Sequence, residues 1–115
     1  MIPALDAAAT ALAAYSQKVQ ATAHNVANLN TEGFKKSRVI LQEGHPAGVT
    51  ASLQRIDSPG APIPSLDQAT IAESSNVDVG EEMLNLMTSK HAFQANLKVI
   101  QTEEERIGFL LDILE

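Results

Sequence analysis

A chain of 115 residues with eight Lys and Arg against 14 Asp and Glu has a net charge of -6, and its residues are 44% hydrophobic but only 3% aromatic. That size admits one modest core and argues against a large enzyme, and the negative balance repels nucleic acid and anionic membranes. The absence of cysteine removes disulfides, cysteine zinc sites and thiol nucleophiles, while apolar mass drawn from Ala, Leu, Val and Ile favours helices over a β-sandwich.

The first predicted element is a helix from Pro3 to about Asn30. Ten alanines lie between Ala4 and Ala27 with no glycine among them, which suits a helix and lets a neighbour approach closely. Leu5, Leu12, Val19 and Val26 recur every seven residues, and Ala8, Tyr15, Thr22 and Leu29 lie three residues after them, so these rows are expected to form a heptad seam. Asn28, Asn30, Thr31 and Gly33 then end the helix, because asparagine and glycine accept the left-handed conformation found there. The start, Met1 to Asp6, has no basic segment, and Asp6, Gln17 and Lys18 interrupt the apolar stretch after Ala4. It reads as neither a cleaved signal nor a membrane span.

Four prolines (Pro46, Pro59, Pro62, Pro64) and three glycines (Gly44, Gly48, Gly60) exclude a long helix from the middle. Arg38 to Glu43 and Val49 to Ile56, on either side of the turn cluster Gly44 to Gly48, predict a β-hairpin, and Ser58 to Pro64 an extended loop.

A second, longer helix is predicted to open at Asp78, whose side chain can cap the first free N–H groups while Glu81 reaches back, as in a capping box. Leu86, Phe93, Ile100, Ile107 and Leu114 recur every seven residues, with Met83, Leu97 and Leu111 on the adjoining row, where Lys90 and Glu104 interrupt. Leu84, Val99, Phe109, Leu110 and Ile113 lie off this seam and call for partners beyond the first helix. Gly108 leaves room for a close neighbour.

The polar residues have plain and sharper readings. Asn25 and Asn28 face one side of the first helix, where they either bond a neighbouring subunit's backbone or cap the helix end. Gly33 and Phe34 read as a turn with an aromatic anchor. Gln94 and Asn96 either form an inter-helix network or face solvent. Lys35, Lys36 and Arg38 form the one basic cluster and read as a solvated turn in preference to a nucleic-acid site. Glu103, Glu104 and Glu105 are consecutive on a helix and point apart, which argues against a catalytic carboxylate pair, and Arg106 can reach Glu103. His24, His45 and His91 lack metal-ligand spacing, and no nucleophile elbow, phosphate loop or dinucleotide fingerprint occurs. The sequence thus offers no catalytic, metal or cofactor residues.

Three segments resemble the flagellar rod and hook family of bacterial axial proteins. Ala23-His24-Asn25-Val26-Ala27-Asn28-Leu29-Asn30-Thr31-Glu32-Gly33-Phe34-Lys35-Lys36 is similar to the family's N-terminal signature. Ser75 to Met87 resembles the opening of its C-terminal helix, and His91-Ala92-Phe93-Gln94-Ala95-Asn96-Leu97-Lys98 the core of that helix, with Phe93 in place of the usual tyrosine. The large domain inserted in hook and distal-rod proteins is missing, so the size resembles that of a proximal rod protein.

The resemblance implies a mainly α fold, in which two long terminal helices pair as an antiparallel coiled coil around a small β-hairpin and loop region. The corresponding segments are 1–33, 34–76 and 77–115. It implies a structural subunit of the basal-body rod, without catalysis, cofactor, membrane insertion or nucleic acid. Such a subunit would be exported through the flagellar type III apparatus without a cleaved signal, and would assemble with other rod and hook subunits and with itself in the periplasm-spanning rod. The assembly surface expected on this reading comprises Leu5, Leu12, Val19, Asn25, Val26 and Asn28 on the first helix. On the second it comprises Leu86, Phe93, Gln94, Asn96, Leu97, Ile100, Ile107, Leu111 and Leu114. The alternative is a helical adaptor that binds axial or export components without polymerising.

Overall fold

A computed structural model describes residues 3–67 and 69–115 of the chain. Met1 and Ile2, the first two residues of the 1–33 segment, lie outside the described residues. In chain order the elements are α1 (Pro3–Ala27), β1 (Ser37–Glu43), β2 (Val49–Arg55), β3 (Pro62–Pro64), β4 (Ile71–Glu73) and α2 (Val79–Leu114). The fold is mainly helical, with the two helices at its ends pairing antiparallel and the strands between them, and it extends over 79 × 24 × 15 Å.

Proline at the first helical position starts α1 without loss, since the N–H it lacks has no helical partner there. The helix closes three residues earlier than its alanine pattern suggested. The Asn28 side chain donates to the His24 carbonyl at 2.9 Å, and its own Oδ1 accepts from Thr31 Oγ1 at 3.1 Å. Gly33 then takes φ 69°, the left-handed conformation that turns the chain toward β1.

β1 and β2 form the predicted hairpin, in register from Ser37 opposite Arg55 to Glu43 opposite Val49. It packs on α1, with Val39 buried beneath it. Its tip is fastened by Thr10, which donates to the Ala7 carbonyl at 2.8 Å and accepts from the Val49 N–H at 3.1 Å. Gly48 makes this approach possible. It has φ +94°, and a Cβ there would lie 2.3 Å from Thr10 Oγ1. Gly48→Ala should therefore lift the tip from α1 at a cost of about 1–3 kcal/mol, seen as a lowered Tm and faster hydrogen exchange at the Val49 amide.

The expected loop from Ser58 to Pro64 is in part a strand. Pro62, Ile63 and Pro64 pair with Glu73, Ala72 and Ile71 in a second antiparallel ladder. A two-stranded ladder has an outward side on each strand, where a proline's missing N–H costs nothing. The proline signal was therefore compatible with a short edge strand as well as with a loop.

α2 opens as predicted at Asp78, whose carboxylate accepts from the Gly80 N–H at 2.8 Å and the Glu81 N–H at 3.4 Å. Glu81 does not reach back to complete a capping box. Its carboxylate is held by Lys36 and Arg38 instead, because two cations attract it more strongly than one backbone N–H.

The helix pair is packed through small and polar residues. On α1 the buried positions are Ala8, Ala11, Ala14, Thr22 and Asn25, and on α2 they are Glu82 and Ser89. Asn96 and Val99 of α2 line a groove with Ala4, Ala7, Ala8 and Ala11, while Glu82 and Asn85 surround a small polar cavity with Lys18 and Thr22. The seam is therefore one residue out of phase with the expected leucine row. Leu5, Leu12 and Val19 are half-buried and Val26 is exposed; on α2, Phe93, Ile100 and Ile107 are half-buried while Leu86 and Leu97 are exposed. Alanine and serine allow the axes to approach closely. The hairpin claims the Ala14, Gln17 and Ala21 side of α1, and the larger side chains are left on the other flank.

Candidate functional site

Two regions concern function: the junction where α1, β1 and α2 meet, and the apolar rows outside the helix seam. The junction is built on two asparagines. Asn25, 2% exposed, brackets the backbone of Ser37: its Nδ2 donates to the Ser37 carbonyl at 2.8 Å, and its Oδ1 accepts from the Ser37 N–H at 2.9 Å. Asn76 ties the preceding residue, Lys36, to the far end of the hairpin. Its Oδ1 accepts from the Lys36 N–H at 2.7 Å, and its Nδ2 donates to the Ile56 and Ser58 carbonyls at 2.8 and 3.0 Å. An asparagine side chain carries the same donor and acceptor as a peptide unit, so each one stands in for a missing neighbouring strand and fixes where the hairpin leaves the helices.

Of the two readings of Asn25, these bonds support an anchor within the chain: the side chain is buried and both of its polar atoms are engaged by Ser37. Asn28 is likewise occupied by its helix-ending bonds. Phe34 is half-buried and meets the His24 ring edge-on with centroids 5.4 Å apart, while its carbonyl accepts from the Asn76 N–H at 3.3 Å. Asn96 donates to the Ala92 carbonyl of its own helix at 2.8 Å, and Gln94 is exposed.

The basic cluster is neutralised inside the junction. Lys35 bonds Glu73 at 2.9 Å and the Ser58 carbonyl at 3.1 Å, Lys36 bonds Glu81 at 2.9 Å, and Arg38 shares Glu81. The hydrogen bond from Lys35 holds the Glu73 carboxyl below its ordinary value of 4.5, and the bond from Lys36 does the same for Glu81. A carboxyl with a lowered folded-state pKa stabilises fully above the unfolded value and loses that contribution as pH falls through the lowered one. A series of thermal melts from about pH 6 to about pH 3 should therefore show the wild type losing more stability than a Glu73→Gln, Glu81→Gln double variant. Equal losses would show that neither pair supports the junction.

The apolar rows are the part left unsatisfied. The heptad rows led by Leu5 and Leu86 both lie on the flank away from the hairpin, where Val26, Met83, Leu86 and Leu97 are exposed. The end of α2 is more open still. Because Asn96 and Val99 already stand level with Ala4 and Ala7, the last dozen residues run roughly 18 Å beyond Pro3 at the helical rise. There Phe109, Leu110, Leu111, Ile113 and Leu114 are all more than half exposed. Only the ion pair from Arg106 to Glu103, at 2.6 Å, matches the ordinary surface chemistry expected of this stretch.

Sequence reasoning missed Asn76, Thr10 and the two glutamate partners. A signal existed for Asn76: Asp78 already supplies the helix cap, so an asparagine two residues earlier needed another backbone group to bond. Thr10 and the ion pairs join residues distant in sequence and had no local signature.

Comparison with known proteins gives two family matches. Residues 5–35 match the model described as flagella basal body rod protein, and residues 68–113 match the one described as flagellar basal body rod FlgEFG protein C-terminal. The flagellar basal-body rod protein FlgC of Escherichia coli O157:H7 is 28% identical over 116 residues, covering 84% of this chain and 85% of the relative. FlgC of Salmonella typhimurium is 29% identical over the same shares. FlgC of Buchnera aphidicola is 28% identical over 125 residues, covering 90% of each.

Proposed function

We propose that the chain is a structural, non-enzymatic subunit of the flagellar basal-body rod, joined to other rod components through its terminal helices, a reading supported by the matches of residues 5–35 and 68–113 to rod-protein family models. The observation supporting this reading most directly is the distribution of apolar surface. A helix pair that turns alanine, serine and asparagine inward and leucine, methionine and phenylalanine outward is built to be completed by other molecules.

On this reading the segments 1–33 and 77–115 are the assembling parts, and 34–76 is a small outward-facing region fixed to them by Asn25 and Asn76. Leu5, Leu12, Val19 and Val26 act with Leu86, Phe93, Leu97 and Ile100 as one flank of contact. Ile107, Leu111 and Leu114 belong to a second contact at the free end of α2. The partners are other rod subunits and further copies of this chain. Delivery by the flagellar export apparatus without a cleaved signal belongs to the same reading and is supported by the family resemblance. Among the described residues no helix is long and apolar enough to cross a membrane.

Purified protein followed by light scattering over a concentration series, then by electron microscopy, tests the proposal. Oligomers that grow with concentration, or rods, are the expected result. A monomer or dimer independent of concentration would favour a non-polymerising adaptor.

A further inference from the structure

The β3–β4 arm stands without internal support. Each strand contributes three residues, and neither packs against a helix or against the first hairpin. Its tethers are at the root, where the Gly33 N–H donates to the Glu73 carbonyl, the Ser74 N–H donates to the Ala61 carbonyl, both at 2.8 Å, and Lys35 pairs with Glu73. A two-stranded ladder of this kind is marginal in water. The arm nevertheless turns large apolar side chains outward, with Leu66 96% and Ile71 80% exposed.

A complementary surface exists elsewhere on the same molecule. Between α1 and the first hairpin lies an open cleft of about 430 Å³, lined by Gln17, Gln20, Ala21, His24, Val39 and Leu53, among others. Among the described residues no carboxylate lines it. Arg55 lies two residues beyond Leu53 on the same side of β2, and its pairing with Asp57 joins two exposed side chains, a bond easily exchanged. The arm, from Ala61 to Ala72, has Asp67 as its one charged residue. Apolar tip and apolar cleft, carboxylate and cation, are thus matched on different faces of one chain.

We propose that the β3–β4 arm of one copy seats Leu66 in the cleft between α1 and the β-hairpin of a neighbouring copy, with Asp67 turned toward Arg55. This rests on the subunit reading above, since the arm is too small for the roughly 1,000 Å² that a stable interface needs by itself. It forms between copies that the helices already hold together, where the effective concentration is high. The contact joins unlike surfaces, so it propagates from copy to copy wherever the rotation between copies does not close.

The lack of native cysteine makes the test direct. Leu66→Cys and Leu53→Cys proteins, mixed and oxidised, should give a covalent dimer that neither gives alone, and a chain with both substitutions should give a ladder of products. Leu66→Asp should weaken copy-to-copy association about tenfold while leaving Tm unchanged, because Leu66 is exposed. Absence of the mixed dimer overturns the arm contact, as does preferential dimerisation of Leu66→Cys with itself. If light scattering still shows oligomers of the unmodified protein, only the arm contact fails; if oligomers are absent too, the subunit reading fails with it.

Discussion

Asn25→Ala should lower the stability of the folded chain by about 2–4 kcal/mol, a fall in Tm of roughly 10 °C or more. The substitution leaves the Ser37 N–H and carbonyl without the partners that hold them at 2.9 and 2.8 Å, at a position where the asparagine is 2% exposed and water has little access. Each unmade bond costs about 1–3 kcal/mol in such surroundings. Asn25→Asp should be nearly as harmful, because a carboxylate accepts from the Ser37 N–H but opposes the Ser37 carbonyl with a second acceptor. Asn28→Ala is the control: its bonds are exposed, and the loss should stay below about 1 kcal/mol. Denaturant melts of the three variants decide the matter. If Asn25→Ala kept full stability but failed to assemble, Asn25 would belong to the subunit interface after all.

Asn25 also marks the limit of what could be read from the sequence. The periods were legible: heptads marked both helices, the Gly44 to Gly48 cluster marked the hairpin turn, and Asp78 marked the start of α2. Phase was not. A row made of Leu5, Leu12, Val19 and Val26 has the same period as one made of Ala4, Ala11, Lys18 and Asn25, and hydrophobicity alone selects the leucines for the seam. Close packing selects the alanines, because the hairpin lies on one flank of α1 and α2 must approach over small side chains. In a chain that folds alone, hydrophobicity and packing select the same row. Here they diverge, which supports the proposed subunit reading: the largest side chains stay on surfaces that the monomer does not bury.

Polar anchoring was legible in residue type but not in partner. The segment from Ala23 to Gly33 and the one from Ser75 to Met87 stood out as motifs, yet nothing local in either indicates that Asn25 and Asn76 grip the backbone of consecutive residues, Ser37 and Lys36. That pairing joins the last turn of α1 and the approach to α2 at one place. It explains why the helices and the strand region keep a fixed relation although, among the described residues, the buried hydrophobic core is confined to Ala8, Ala11, Ala14, Val39 and Val77. Polar bonds set the geometry, and many large apolar side chains stay exposed.

Deletion of Ile107 to Glu115 should abolish assembly while changing the stability of the remaining fold by no more than about 1 kcal/mol. The segment lies beyond Pro3 along the helix axis, and five of its apolar side chains are more than half exposed, so the described fold gains little from it. Association would gain much. At about 25 cal/mol per Å² of apolar area, burying five such side chains amounts to several kcal/mol, a loss of at least about a thousandfold in affinity when they are removed. Their arrangement also sets the kind of contact. At 100° per residue, Phe109 lies roughly opposite Ile107, and Leu110 and Ile113 fall between them on one side, while Glu104, Glu105, Asp112 and Glu115 gather on the other. One partner helix covers a stripe about 100° wide, roughly half of this apolar circumference, so the end of α2 requires two or more neighbours. Phe109→Asp and Leu111→Asp, on different sides, should therefore each weaken assembly in a light-scattering titration, and the two together should do so more than either alone. If Phe109→Asp assembled like the wild type, α2 would bury only its seam side, and a simple paired complex would account for the molecule better than a rod.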